Sequence, residues 1–166
     1  MSGVRRLLLM RHAKSDWSFE EPDHDRPLNA RGRRSADALG AWLRDSGMLP
    51  DQVLCSTSRR TRETLERLDI DAPVRFEDRL YHAAPEAVLD ALRGAEGSRV
   101  LIIGHNPGFQ ETAARLVRAA PTHPRFGDYP TGATLVARFA LDDWRDAVWG
   151  MADPEDFVIP RELLDA

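Results

Sequence analysis

Residues 99–108, RVLIIGHNPG, join the clearest predicted strand of the chain to a turn. The run Arg99–Ile103 is short and mostly apolar, as is typical of a strand buried on both faces of a sheet. The glycines, asparagine and proline that follow it favour a turn. A helix is predicted from about Phe109 to Ala119, so the segment indicates a strand–turn–helix unit.

The same pattern recurs on the N-terminal side of this unit. Further strands are predicted at Arg6–Met10, Gln52–Ser56 and Val74–Phe76. Helices are predicted at Ala30–Ser46, at Ser58–Leu68 and in a segment that begins at Pro85. Asn29 can cap the first of these helices and Gly47 can end it. Strands that alternate with helices predict an α/β fold with a largely parallel sheet.

The last third of the chain departs from this alternation. Pro121–Pro130 is predicted to be a loop, and the strands predicted at Ala133–Ala140 and Ala147–Met151 have no helix between them. Such a pair favours an antiparallel edge. We therefore predict a three-layer α/β/α sandwich with a mixed, mostly parallel sheet, in one domain over residues 1–166.

Composition narrows the class of protein. The net charge of −4 and the pI of about 5.7 give no general attraction to nucleic acid, so no nucleic-acid partner is predicted. The longest N-terminal apolar run, Leu7–Met10, is far shorter than the roughly 20 residues of a membrane span. The single Cys55 offers no disulfide framework. These features predict a cytoplasmic protein without a membrane partner.

Three of the predicted strands end in polar or cationic groups. Arg11 and His12 follow the first strand, the segment 56–62 follows the second, and His105 follows the fourth. In sheets of this kind, sites form outside the carboxyl ends of the strands. Arginine binds two oxygens of an anion, and helix N-termini attract negative charge. The arrangement predicts a site for a phosphoryl group.

His12 is the candidate nucleophile of that site. A neutral imidazole can attack phosphorus and form a covalent phosphohistidine that water then hydrolyses. The arginines and His105 would neutralise charge in the transition state, so neither a metal nor a cofactor is predicted. Two alternatives remain: a metal-dependent hydrolase using His12, His24 and His105, and a non-catalytic module that binds phosphate or phosphoprotein.

A cysteine-dependent phosphatase is a further alternative, which the spacing disfavours. Such enzymes place an arginine six residues after the nucleophile. Six residues after Cys55 stands Thr61, with arginines one position away on each side. Cys55 is therefore predicted to be a small buried residue.

Four segments, taken in chain order, resemble the histidine phosphatase superfamily in its SixA-like phosphohistidine phosphatase branch. They are LLLMRHAKS at 7–15, DRPLNARGR at 25–33, STSRRTRET at 56–64 and GHNPG at 104–108. The resemblance extends from about residue 6 to 115. It implies a phosphoglycerate mutase-like fold.

The resemblance also implies roles for single residues. His12 is the phosphate acceptor, while Arg11, Arg60 and His105 bind the phosphoryl group. Further phosphate contacts are expected from Arg26, from Ser15 or Ser18, and from the backbone N–H of Asn106.

The segment FEDRLYH at 76–82 departs from the family pattern. Mutases and small-molecule phosphatases of the family carry a carboxylic acid here, and no residue falls on its place; Glu77 and His82 are the remaining candidates. An alkoxide leaving group needs a proton, whereas the imidazole of a phosphohistidine can leave already protonated. The favoured substrate is therefore a phosphohistidine-bearing protein, with a small phosphorylated molecule as the alternative. The absence of long capping insertions favours an open pocket.

Overall fold

The computed structural model describes residues 3–18 and 20–164. Its sheet contains the strands β1 (Arg5–Arg11), β2 (Gln52–Ser56), β3 (Val74–Glu77), β4 (Arg99–Gly104), β5 (Thr134–Phe139) and β6 (Asp153–Val158). The strand order is β3-β2-β4-β1-β5-β6. The first four strands in this order run parallel, and β5 is antiparallel to both β1 and β6. The predicted mixed, mostly parallel sheet is confirmed.

Within the described residues, four helices follow the four parallel strands, and a fifth follows β6. They are α1 (Ala30–Asp45), α2 (Arg59–Leu68), α3 (Pro85–Arg93), α4 (Gly108–Leu116) and the short α5 (Pro160–Leu164). No helix within residues 3–18 and 20–164 is long and apolar enough to cross a membrane.

Strand β1 explains why the fold has three layers. Leu7 and Leu9 pack into one hydrophobic cluster with α3 and α4, whereas Leu8 and Met10 pack into another with α1 and α2. Successive side chains of a strand point to opposite faces, so a continuous apolar run must be covered on both sides. This arrangement confirms the α/β/α sandwich.

The start of α1 is fitted closely against the loop that follows β1. The side chain of Asn29 caps the helix by accepting a hydrogen bond from the Gly32 backbone N–H, at 2.8 Å, as predicted. A Cβ at position 32 would lie 2.0 Å from the carbonyl oxygen of Lys14. Only glycine permits this approach, so Gly32 brings the helix against the residues after His12.

Two sequence predictions of elements are corrected. The segment Ala147–Met151 is not a strand; the last strand is Asp153–Val158. That strand contains Pro154 and a register shift against β5, features that are tolerated at the edge of a sheet. The helix predicted to reach Ala119 ends at Leu116.

Candidate active site

The carboxyl ends of β2, β4 and β1 lie side by side in the sheet. His12 directly follows β1, and its backbone N–H donates to the carbonyl of Gly104 at the end of β4, at 3.0 Å. Its ring atom Nδ1 lies 2.6 Å from the carbonyl oxygen of Ala13. Because a carbonyl only accepts, Nδ1 carries the proton, and Nε2 keeps a free lone pair.

Burial sets the charge of His12, which is 5% exposed. Burial lowers its pKa well below the usual 6.5; the bond to Ala13 opposes this shift, and the electrostatic influence of His105, Arg11 and Arg60 adds to it. His12 is therefore a neutral imidazole at neutral pH, the form that can act as a nucleophile.

Arg60 reaches the site from the first turn of α2 and is 3% exposed. Its guanidinium donates to the backbone oxygen of Asp23 at 2.8 Å and to the Asp23 carboxylate at 3.1 Å. It also donates to Nδ1 of His105 at 3.2 Å. A buried arginine held by three contacts is fixed in orientation before any substrate arrives.

His105 lies beside His12, with 5.3 Å between the ring centroids. Because Nδ1 accepts from Arg60, the proton of the neutral ring is on Nε2, which lies 2.9 Å from the hydroxyl of Ser56. Burial, followed by the charge of Arg60, lowers the pKa of His105 to about 3. An anion bound beside this ring would favour its protonated form.

Two further arginines border the same space. Arg11 donates to the backbone oxygen of Tyr129 at 3.2 Å, and Arg26 donates to the hydroxyl of Ser15 and, at 2.9 Å, to Asp23. The Arg26 guanidinium also lies 3.6 Å above the ring of Trp17. Burial, then the charges of Arg60 and Arg26, lowers the pKa of Arg11. The cations crowd one another, so an anion between them would be stabilised.

The three arginines retain unused donors. Within the described part of the chain, the Nε atoms of Arg11, Arg26 and Arg60 are buried and have no hydrogen-bond partner, as is also true of Arg5 and Arg99 outside this cavity. Buried N–H donors without acceptors are costly, and phosphoryl oxygens are strong acceptors.

These groups surround a cavity of about 470 Å³, which we call the phosphate cavity. It is lined by Arg11, His12, Lys14, Ser15, Trp17, Asp23, Arg26, Arg60, His82, His105, Asn106, Arg125, Asp128, Pro130 and Thr131. Seven of the eight site residues expected from sequence are among them. Five cationic side chains face two carboxylates, so the cavity favours anions.

Ser18 is the expected residue that the structure leaves outside. Its hydroxyl donates to the Asp16 carboxylate at 2.5 Å, and its backbone N–H donates to the same oxygen at 2.9 Å. This local turn directs the hydroxyl to Asp16 rather than to the cavity. Ser15, the other serine considered, lines the cavity.

Of the two candidate acids, one lines the phosphate cavity and the other does not. Glu77 is paired with Arg79 at 2.6 Å and does not line the cavity. His82 does line it, 3.5 Å from the Asp23 carboxylate and with its ring centroid 5.8 Å from that of His105. Its φ of 54° lies in the left-handed region, where histidine is among the enriched non-glycine residues.

Asp23 is the most connected residue that sequence reasoning missed. Burial raises its pKa, but hydrogen bonds from Tyr81 and Arg26 and the charge of Arg60 outweigh burial and lower the pKa far below the usual range. Asp23 is therefore an ionised acceptor for the arginines and cannot serve as a proton donor. Its spacing of three residues from Arg26 was the available signal in the sequence.

The predicted loop Pro121–Pro130 forms the far side of the cavity, through Arg125, Asp128 and Pro130. Tyr129, at its end, is fully buried; its carbonyl accepts from Arg11 and, at 2.9 Å, from the side chain of Asn106. The role of this loop had no signal in the sequence, because these contacts join residues far apart in the chain.

The alternatives based on cysteine and metal are also addressed by the geometry. Cys55 is fully buried, and burial raises the pKa of its thiol to about 12, so it is the predicted core residue. His24, a ligand in the metal-dependent alternative, has its Nε2 atom 3.1 Å from the hydroxyl of Thr57. Among residues 3–18 and 20–164, no three His, Cys, Asp or Glu side chains are grouped to hold a metal ion.

The fold and the cavity together define an α/β protein with an anion site at the carboxyl ends of its parallel strands. The sequence profile of the histidine phosphatase superfamily (branch 1) matches residues 7–84. An uncharacterised protein of Mycobacterium tuberculosis is 39% identical over 159 residues, which cover 92% of this chain and all of that protein.

Solved structures agree with the profile. The protein assigned as phosphohistidine phosphatase SixA of Nakamurella multipartitia is 36% identical, with a TM-score of 0.84 over 95% of this chain and 97% of that one. The protein so assigned from Agrobacterium tumefaciens is 28% identical, with a TM-score of 0.75 over 94% and 99%. The chain belongs to the histidine phosphatase superfamily and is SixA-like.

Proposed function

We propose that the protein is a phosphatase that transfers a phosphoryl group from its substrate to Nε2 of His12 and then to water. One observation carries the proposal. The bond from Nδ1 to the Ala13 carbonyl leaves Nε2 of a neutral, buried imidazole as the free nitrogen in a cavity lined by cations. This is the arrangement that nucleophilic attack on phosphorus requires.

In the first step, the Nε2 lone pair attacks phosphorus, and the bond from phosphorus to the leaving group breaks. Arg11, Arg26 and Arg60 line the cavity, and their guanidinium groups are donors for the phosphoryl oxygens. In the second step, water attacks the phosphohistidine, the N–P bond breaks, and inorganic phosphate and neutral His12 are regenerated. The fixed arginines stabilise the charge on the phosphoryl oxygens in both steps.

We assign proton transfer to His82, which lines the cavity next to His105. The two carboxylates at the cavity are poorly suited to this proton transfer. Asp23 is held ionised, and Asp128 is paired with Arg125 at 2.9 Å. A histidine can accept a proton from the attacking water and can donate one to an alkoxide.

Protein phosphohistidine is the substrate we favour. The relatives assigned as SixA are named as phosphohistidine phosphatases. The two carboxylates of the cavity are bonded to arginines, Asp23 to Arg26 and Arg60 and Asp128 to Arg125. This arrangement also supports a phosphohistidine substrate, since its imidazole leaving group needs less assistance from an acid. The location of His82 favours the second candidate, a small phosphomonoester as substrate.

The mechanism is tested by trapping the phosphoenzyme. Protein mixed briefly with a phosphorylated donor and quenched in alkali should carry acid-labile phosphate on His12. His12→Ala should carry none, whereas His24→Ala, altered outside the phosphate cavity, should be labelled like the wild type. A labelled His12→Ala variant would overturn the mechanism; binding of phosphate without labelling of the wild type would indicate a non-catalytic module.

The substrate is tested by comparing a phosphohistidine protein with a sugar phosphate. We expect faster turnover of the former, and His82→Asn should reduce sugar phosphate cleavage more than phosphohistidine cleavage, because only the alkoxide needs a proton. Efficient sugar phosphate turnover without phosphohistidine turnover would contradict this assignment. Activity should also persist with a chelator, since no metal or cofactor is part of the proposal.

A further inference from the structure

A second cavity adjoins the phosphate cavity. It measures about 260 Å³ and shares the wall formed by Lys14, Arg125, Pro130 and Thr131. Its other side is formed by Arg31 and Ser35 of α1 and by residues 159–161. We call it the outer cavity. A ligand bound at His12 could extend past Lys14 into this space.

The outer cavity contains cations without counterions. Within the described residues, neither the ammonium of Lys14 nor the guanidinium of Arg31 has a hydrogen-bond or ion-pair partner. Most other cations of the chain bond to a carboxylate or a backbone oxygen, as Arg125 does with Asp128. Lys14 is also the single lysine of the sequence. Two unpaired cations on one cavity favour an anionic ligand.

The position of Arg31 adds to this argument. It lies in the first turn of α1, a 16-residue helix whose first turn contains no acidic residue. Cations are disfavoured at a helix N-terminus, where the helix dipole is positive. Arg31 therefore does not stabilise its own helix. An anion in the outer cavity would interact favourably with both the Arg31 guanidinium and the N-terminus of α1.

Ser35 provides an independent indication of a ligand. Its side chain lines the outer cavity, and the residue is only 5% exposed. Its hydroxyl has no hydrogen-bond partner among the residues that the structure describes. The hydroxyl oxygen keeps some accessible surface and does not bond to the carbonyl four residues earlier, as serines in helices often do. An oxyanion in the cavity would supply the missing acceptor.

We propose that the outer cavity binds a second oxyanion of the substrate, while the phosphoryl group lies at His12. This inference rests on the proposed function. For a protein substrate, the oxyanion is a carboxylate of an acidic residue close to the phosphohistidine. A second phosphate on a small molecule offers the same chemistry, and the experiment distinguishes the two sources.

The test uses two phosphohistidine peptides that differ only in having glutamate or glutamine beside the phosphohistidine. At low ionic strength the wild type should show a KM about two- to five-fold lower for the acidic peptide, the range expected of an exposed charge pair. Arg31→Gln should lose this preference and keep the wild-type kcat on the neutral peptide. Ser35→Ala should weaken it.

Arg34→Gln is the matched control. Arg34 lies in the same helical turn, is exposed and, within the described part of the chain, has no polar partner, but it does not line the outer cavity. It should keep the full preference. Equal loss in both variants would overturn the proposal, because it would indicate a general charge effect. Equal KM values for the two peptides in the wild type would also overturn it if pyrophosphate and orthophosphate bind the wild type with equal affinity.

Calorimetric titration with orthophosphate and pyrophosphate gives a readout that does not depend on turnover. If pyrophosphate binds more tightly than orthophosphate, and Arg31→Gln loses this difference while Arg34→Gln keeps it, the result would support an oxyanion site in the outer cavity. If the wild type also shows no preference between the two peptides, the second oxyanion would be assigned as a second phosphate. Equal affinities would count against such a site. If the wild type turns over no phosphohistidine substrate, the proposed function fails, and this titration still tests the outer cavity.

Discussion

The parallel and antiparallel halves of the sheet contribute differently to the site. In the parallel half, β1 and β4 lead directly into His12 and His105, and the helix after β2 carries Arg60. The antiparallel half contributes mainly through the loop before β5. The Tyr129 hydroxyl donates to the carbonyl of Leu9 and accepts from the backbone N–H of Leu135.

This difference suggests that the parallel half supplies the groups that would touch phosphate, and the antiparallel half holds them. Substitutions of the cavity residues in the parallel half should affect activity and the charge of the site, whereas substitutions in the antiparallel half should affect mainly the free energy of unfolding. Substitutions in each half test this division.

The largest effect is expected for Arg60→Ala in the parallel half. The substitution removes the cation that contacts both Asp23 and His105, so kcat/KM should fall by about 10²- to 10³-fold, as for the loss of one transition-state donor. The measurement is steady-state turnover of a phosphohistidine substrate.

Arg62→Ala is its control on the same helix. Arg62 donates to the backbone oxygen of Thr57 and does not line the phosphate cavity. Its kcat/KM should stay close to that of the wild type. Comparable losses in both variants would show that the effect comes from the helix rather than from the cavity.

The next effect concerns stability and pH. The pKa values of His12 and His105 are below 6.5 in the folded state, so below pH 6.5 the unfolded chain binds protons that the folded chain does not. Stability should therefore fall as the pH decreases from 7 to 5, by up to about 1.4 kcal/mol per pH unit for each histidine. The decline attributable to His105 should continue to about pH 3.

Urea unfolding in phosphate-free buffer at several pH values provides the measurement. His12→Gln/His105→Gln should have a shallower dependence of unfolding free energy on pH, and each single variant should be intermediate. A slope unchanged in the double variant would contradict the buried, neutral state of the two rings.

A loss of about 1–3 kcal/mol in the free energy of unfolding is expected for Tyr129→Phe in the antiparallel half. The hydroxyl is buried, and its removal leaves the Leu9 carbonyl and the Leu135 N–H without their partner. The contact to Arg11 uses the backbone carbonyl and persists, so kcat/KM should change only a few-fold.

Tyr81→Phe is the matched comparison, because its hydroxyl donates to Asp23 on the exposed side of the site, at 2.5 Å. Its unfolding free energy should change by about 0.5 kcal/mol or less, as for a surface substitution. If Tyr129→Phe were equally mild, the Tyr129 hydroxyl would not hold the two strands together.

The smallest effect on activity is expected for Cys55→Ala, in the core of the parallel half. Activity should equal that of the wild type, with a stability loss of about 1 kcal/mol for the small cavity. Cys55→Ser should be less stable, because it buries a hydroxyl, yet equally active. Loss of turnover in the folded Cys55→Ala protein would revive the cysteine-dependent alternative.

The central part of the fold could be predicted from the sequence because its strands are short apolar runs. Leu7–Met10 is apolar at each position, which requires cover on both faces and thus three layers. The residues after such strands share one edge of the sheet, so the convergence of Arg11, His12 and His105 followed from topology alone.

The remaining parts depend on contacts that no local pattern records. Strand β6 is polar and contains a proline, because one of its edges is free of a neighbouring strand. Tyr129 meets Leu9 across 120 positions of sequence. Ser15 and Ser18 are alike in type and proximity to His12, and only the turn at Asp16 separates their roles.

The paired carboxylate of Asp23 has a consequence for product release. Asp23 already bonds to Arg26 and Arg60, so inorganic phosphate left in the cavity competes with a carboxylate that belongs to the protein itself. Such an internal competitor lowers the affinity of the arginines for the anion in the ground state. The arginines remain oriented for the transition state, in which charge on the phosphoryl oxygens is redistributed. In the proposed reaction, this competition would lower the affinity of the cavity for inorganic phosphate and so favour its release.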